Sequence, residues 1–173
     1  MKRHVALVGF MAAGKSTVGK KLARKLRCAF VDVDDLIVAQ HGPISDIFYA
    51  QGEDVFRRYE FEAIERAVEG PPGIIALGGG AVTHDESLNL IKKRTYRVFV
   101  KVPVEQILGR LRRSPRVRPL LGPAPSLQKI KDLYAQRMPR YAHADLVIEA
   151  GEMSTGQIVD HIVEWLHKKK IEL

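Results

Sequence analysis

Apolar residues along this chain come in short runs separated by amphipathic stretches, the alternation expected of strands and helices. Val5-Ala6-Leu7-Val8 is an apolar run bounded by polar residues and Gly9, the pattern of a buried strand. Val18, Leu22, Ala23 and Leu26 then recur at helical spacing, leaving Lys20, Lys21, Arg24 and Lys25 to face solvent. Ala29-Phe30-Val31 predicts a second strand running into Asp32, Asp34 and Asp35. From about Asp34 to Glu69 the period is helical, broken at Gly42-Pro43 and at Gly52. Pro71-Pro72-Gly73 ends that stretch, and Ile74-Ile75-Ala76-Leu77 predicts a strand that runs into Gly78-Gly79-Gly80. Further strands are expected over Tyr96 to Val102 and Ala144 to Glu149, and a helix from Pro103 to about Arg112. Ile158, Ile162, Val163 and Leu166 mark a terminal amphipathic helix. This alternation implies an α/β fold, with a parallel sheet covered on both faces. Such sheets bind ligands beyond the carboxyl ends of their strands, and the polar motifs of this chain gather there.

Composition narrows the classes. The chain has 173 residues, 46% of them hydrophobic and 28% charged, which suits one folded domain and excludes wholesale disorder. No apolar run approaches the ~18–20 residues of a membrane span. Cys28 is the only cysteine, so an intrachain disulfide is impossible, and the composition suits a reducing, cytoplasmic setting. The formal charge of +8 attracts an anion: nucleic acid, a membrane surface, or a phosphorylated or carboxylated small molecule. Met1-Lys2-Arg3-His4 followed by Val5 to Ala13 imitates a signal peptide. Gly9 breaks that run, and cleavage after Ala13 would destroy the strongest motif in the sequence.

That motif is Gly9-Phe10-Met11-Ala12-Ala13-Gly14-Lys15-Ser16, a full match to G-x-x-x-x-G-K-[ST] between a strand and a helix. The glycines let successive backbone N–H groups converge on phosphate oxygens, and the helix that follows presents its positive end to them. Lys15 is placed to reach the β- and γ-phosphates, and the Ser16 hydroxyl to ligate Mg²⁺. Asp32 and Asp34 stand two apart after the second strand. With extended backbone they put a carboxylate on each side of the strand end, Asp32 for Mg²⁺ through water and Asp34 for a substrate hydroxyl. Asp35 reads as a helix-start residue. Many phosphate-loop enzymes carry an Mg²⁺-holding aspartate at the end of another apolar strand. Here Gly78-Gly79-Gly80 stands in its place, allowing close approach to bare N–H groups and leaving metal binding to Ser16 and Asp32.

Arg57 and Glu60 lie three apart on a predicted helix and share a face. They read either as a solvated ion pair, as for adjacent Arg58, or as an arginine forked onto a substrate carboxylate and held by the glutamate. Arg110, Arg112, Arg113, Arg116 and Arg118 form the densest positive stretch, followed by Pro119-Leu120-Leu121. With Pro115, Pro123 and Pro125 it reads as an exposed segment, either a lid over a nucleotide, a nucleic-acid contact or a solvated loop. Arg137, on a following helix, is placed to contact the same ligands.

Together these pieces resemble the shikimate kinase family. The resemblance is carried by the phosphate loop through Thr17, Phe30-Val31-Asp32-Val33-Asp34, Gly52-Glu53 with Phe56-Arg57 and Glu60, and Leu77-Gly78-Gly79-Gly80. It continues in Arg118-Pro119-Leu120-Leu121 and in Arg137-Met138-Pro139-Arg140-Tyr141 with Ala144-Asp145. The resemblance implies a single three-layer domain with a five-stranded parallel sheet, like that of nucleoside monophosphate kinases. It also implies a substrate-binding segment at about 33–62 and a mobile lid at about 112–125. ATP and Mg²⁺ would be the cofactors, and the 3-hydroxyl of shikimate the acceptor. By resemblance Asp34 binds the shikimate hydroxyls and assists deprotonation. Arg57 and Arg137 hold the carboxylate, and Gly78, Gly79 and Gly80 line the pocket. Gly9, Ala12, Ala13, Gly14, Lys15, Ser16 and Thr17 cradle the nucleotide; Lys15 and Arg118 also serve the moving phosphoryl group. Arg112 and Arg113 are both candidates for the nucleotide contact. Ala12 stands where the family commonly has glycine and is expected to hold φ below zero.

The expected actor is a monomeric cytoplasmic kinase with a small-molecule substrate and neither nucleic-acid nor membrane partner. A kinase for another polyol acid, such as gluconate, shares the phosphate loop but does not need the F-R-x-x-E and glycine elements. A nucleotide-dependent nucleic-acid-binding protein is the rival from a different class, and the arginine stretch lacks the interleaved aromatics it would use.

Overall fold

The computed structural model describes residues 2–114, 117–122 and 126–173; Arg116, Pro115, Pro123 and Pro125 lie outside the described residues. The order along the chain begins β1 (His4–Val8), α1 (Lys15–Leu26), β2 (Ala29–Asp32), α2 (Val33–His41), α3 (Ile44–Gln51), α4 (Glu53–Glu69) and β3 (Gly73–Ala76). A short 3₁₀ turn (Ala81–Thr83), α5 (Asp85–Arg94), β4 (Thr95–Lys101), α6 (Val104–Arg113), α7 (Leu127–Ala142), β5 (Leu146–Glu149) and α8 (Thr155–Lys169) complete it. The strands form one five-stranded sheet, ordered β2-β3-β1-β4-β5 and parallel throughout.

β1 is the central strand and is buried at every residue, which is why it reads as an unbroken apolar run. Its register pairs Leu7 with Ala76 on one side and Val98 on the other, and Ala76 in turn pairs with Asp32. The carboxyl ends of β1, β2 and β3 therefore finish side by side, and the phosphate loop, the acidic residues and the glycine run leave the sheet together. Sheet order reverses about β1, which opens a crevice at that edge. The helical stretch after β2 resolves into three helices, with left-handed Gly42 and Gly52 (φ 84° and 85°) at the breaks.

Two local expectations change. β2 ends at Asp32, whose side chain caps α2 by accepting from the N–H of Asp34 at 3.0 Å and of Asp35 at 3.4 Å. Asp34 thus lies in the first helical turn, and the pair does not alternate on extended backbone. A capped helix start satisfies N–H groups that an extended strand end would leave open. Helix α5 has no counterpart in the sequence reading. It buries only Ser87, Leu88 and Ile91, too thin a stripe to stand out from its charged flanks. Trp165 of α8 packs edge-on against Tyr96 at 6.3 Å, and Cys28 is half-buried against the core. No helix among the described residues is long and apolar enough to cross a membrane.

Candidate active site

The loop from Gly9 to Gly14 curls between β1 and α1. Lys15 is buried, and its Nζ donates to the carbonyls of Gly9 at 2.7 Å and Phe10 at 2.8 Å. Gly14 caps α1 in a left-handed conformation, φ 91°. Ala12 also lies in that region, φ 60°, against the expectation of a negative value. The curl that aims the loop N–H groups inward requires this conformation at position 12, and alanine adopts it at a cost. The Ala12 carbonyl accepts from Arg110 Nη1 at 3.0 Å, fastening the strained residue to α6. Ser16 Oγ donates to Asp32 Oδ2, so the two residues expected at Mg²⁺ are in direct contact. A hydroxyl and a carboxylate side by side suit a hard cation that keeps waters and phosphate oxygens as its other ligands.

Two cavities open over the sheet edge. One, of about 300 Å³, is bounded by loop residues 11–17 with Asp32, Arg110 and Arg118. The other, of about 370 Å³, holds Asp34, Arg57, Glu60 and Arg137 against the glycine run, with Val38, Ile44, Phe48, Val117 and Leu120 as an apolar wall. Met11, Asp34, Gly78, Gly79 and Arg118 line both, so the cavities meet where Asp34 and Arg118 stand.

Arg57 and Glu60 are inside the fold, not solvated: Arg57 is 8% exposed and Glu60 1%. Arg57 Nη1 donates to Glu60 Oε2 at 2.6 Å, while Nε and Nη2 donate to Glu53 Oε1 at 3.3 and 3.1 Å. Burial pushes the Glu60 carboxyl up; Arg57 works against that shift, and the Asp34 charge adds to it. Glu60 Oε1 has no hydrogen-bond partner among the described residues and faces Gly78 and Asp34. Exposed Arg58 stays outside. Arg137, 4% exposed, reaches in from α7 with its guanidinium carbon 5.7 Å from the Phe10 ring centroid.

Each residue of the glycine run leaves room for a different group. A Cβ on Gly78 would lie 2.6 Å from Glu60 Oε1 and 3.1 Å from Asp34 Oδ1. On Gly79 it would meet the Met11 nitrogen at 3.1 Å and Arg137 Nη1 at 3.3 Å, and on Gly80 Arg57 Nη1 at 2.6 Å. The run is thus a floor on which four charged side chains rest.

Charges of both signs face one another across the crevice. Burial lowers the Lys15 pKa from 10.5 to about 8, with Asp34 and Asp32 holding it up and Arg118 and Arg137 pressing it further down. Arg112 and Arg113 are exposed on the last turn of α6 and line neither cavity. Arg110 does, and its position three residues after buried Ile107 puts it on the inward face of α6, a signal the sequence carried. Glu53, part of the pattern that carries the resemblance but given no role there, holds Arg57 from one helical turn before it.

The family model for shikimate kinase matches residues 11–167. The chain belongs to the shikimate kinase family. A relative named shikimate kinase from Nitrobacter winogradskyi is 40% identical over 96% of this chain and 78% of its own length. One from Sulfurihydrogenibium is 38% identical over 96% and 99%. Among solved structures, shikimate kinase from Acinetobacter baumannii in complex with shikimate superposes with a TM-score of 0.92 at 33% identity, covering 99% of this chain and 97% of that one. A sugar kinase from Janibacter, at 18% identity and a TM-score of 0.64, shares the fold with this shikimate kinase family member.

Proposed function

We infer that the chain catalyses ATP-dependent phosphorylation of shikimate at its 3-hydroxyl, giving shikimate 3-phosphate and ADP. Family membership supports the reaction, and one observation supports the assignment of roles: the phosphate-loop cavity and the arginine-bearing cavity share Asp34 and Arg118. A phosphoryl donor in one and an acceptor in the other would face each other across those residues. Transfer then depends on placement and charge neutralisation, with no covalent intermediate on the protein.

In this reading Gly9, Ala12, Ala13, Gly14 and Thr17 shape the cradle for the triphosphate, and Lys15 and Arg118 draw charge away from the moving phosphoryl group. Ser16 and Asp32 hold Mg²⁺, which supplies neutralisation of the phosphate oxygens when bound. Arg57, Arg137 and the N–H groups beside Gly79 and Gly80 bind the carboxylate. Asp34 takes the acceptor hydroxyl and receives its proton. Arg110 replaces Arg112 and Arg113 as the preferred nucleotide contact from α6, because it is the one that borders the loop cavity. The segment 33–62 serves as the substrate-binding part and 112–125 as the lid. The enzyme works as a cytoplasmic monomer on a small molecule, without nucleic acid or membrane.

A coupled ADP-release assay with shikimate, gluconate and no acceptor tests the reading. Turnover is expected with shikimate alone. In Arg57→Ala the shikimate KM should rise about 10- to 100-fold, the loss of charged hydrogen bonds, with the ATP KM nearly unchanged. Equal turnover on gluconate, or an unchanged shikimate KM in that variant, would sink the assignment.

A further inference from the structure

Tyr141 has no role in the reading above, yet it is the largest fully buried side chain of the core. It follows Arg137 by one turn of α7, so the two side chains lie on one face. Its ring packs against Phe99 at 5.1 Å between centroids, and its hydroxyl donates to the Gly79 carbonyl. The Arg137 guanidinium lies beside the same hydroxyl, close enough to work against the rise in its pKa. A phenol has one proton and two lone pairs, so with the proton committed to Gly79 a lone pair stays open toward the Arg137 guanidinium.

We propose that Tyr141 is a positioning residue for the substrate carboxylate, its hydroxyl locking the Arg137 guanidinium and the Gly79–Gly80 peptide into one arrangement. The proposal rests on the reading of Arg137 as a carboxylate ligand. The Gly79–Gly80 peptide is trans, so fixing the Gly79 C=O toward Tyr141 directs the Gly80 N–H the opposite way. One hydroxyl therefore sets two donors, a guanidinium and a backbone N–H. Burial raises the phenol pKa to about 12, which keeps the proton on the oxygen at any working pH. Gly79 also lies against the Met11 backbone, so the tether holds the floor of the crevice at its junction with the phosphate loop. Without the hydroxyl the Gly79 carbonyl loses its donor in a buried setting, where a missing hydrogen bond is most costly, and the guanidinium loses the polar group beside it.

Steady-state kinetics of Tyr141→Phe, Arg137→Lys and the double variant test this. Tyr141→Phe is expected to raise the shikimate KM about tenfold, more than it lowers kcat, with the ATP KM held within about twofold. In the Arg137→Lys background the same change should have little further effect, because the two act as a unit. An unchanged shikimate KM in Tyr141→Phe, a parallel rise in both KM values, or multiplicative effects in the double variant would overturn the proposal. If Arg137→Lys itself leaves the shikimate KM unaltered, the carboxylate reading fails first, and the two failures are distinct. Should Tyr141→Phe not fold, 4-fluorophenylalanine at position 141 keeps the ring and fills the space of the hydroxyl but has no proton to donate. Calorimetric shikimate affinity is then expected to be about tenfold weaker than in the unmodified enzyme; an equal affinity would overturn the proposal.

Discussion

At the scale of single residues, the site carries two costs that chemistry accounts for. Lys15 is buried as a cation and its pKa falls to about 8. The free enzyme therefore loses that charge as pH rises through 8, and kcat/KM for ATP, which reports the free enzyme, should fall by about tenfold per pH unit above it. The bound triphosphate favours the protonated amine, so kcat should hold to higher pH. A kcat/KM profile level to pH 10 would contradict the burial argument. Ala12 pays the second cost, since a left-handed non-glycine residue loses roughly 1–2 kcal/mol. Ala12→Gly should recover up to ~1 kcal/mol after the added entropy of the unfolded glycine, a Tm increase of no more than ~2–4 °C. Calorimetric melting measures it, and a lower Tm would mean that the loop does not need the left-handed turn at Ala12.

At the scale of elements, legibility followed the strength of the apolar pattern and the reach of each interaction. β1, α1 and the loop between them could be read directly, because a buried strand, an amphipathic helix and two glycines at fixed spacing are all local signals. Helix α5 could not, for it buries three residues among charges. Arg57 was ambiguous for a different reason: an i,i+3 pair looks the same on a solvated face and on one covered by a turn from β3, and that cover is a long-range fact. The covering turn supplies a prediction. Gly80 has ordinary right-handed backbone, φ −96°, so alanine is conformationally tolerated there. Its methyl would nonetheless collide with the Arg57 guanidinium. Gly80→Ala should leave Tm within a few degrees, because a flexible side-chain end can yield, while raising the shikimate KM roughly tenfold as Arg57 leaves its position. Titration of shikimate into both proteins checks this; unchanged affinity would show that the guanidinium can shift without loss.

At the scale of the whole molecule, the central strand carries function at one end and a pH liability at the other. The carboxyl end of β1 delivers the phosphate loop, whereas His4, at its start, is 1% exposed with Nε2 3.0 Å from the Val68 carbonyl. Burial lowers the His4 pKa from its ordinary 6.5; the bond to Val68 works against the shift, and Arg3 and Arg94 add to it. Just below pH 6.5 the unfolded chain binds a proton at this position that the folded chain refuses, so stability must fall as pH drops through that window. Glu60, the crevice carboxyl that burial pushes up, gives a slope of the opposite sign, because there the folded chain is the one that takes up the proton more readily. Acid destabilisation in this window should therefore begin at the base of the sheet, where His4 is buried. Glutamine can keep a donor toward the Val68 carbonyl without titrating, so His4→Gln should flatten the decline in Tm between about pH 6.5 and 5, whatever it costs at neutral pH. Thermal melts of both proteins across that range decide the matter, because parallel slopes would move the acid-sensitive group elsewhere in the molecule.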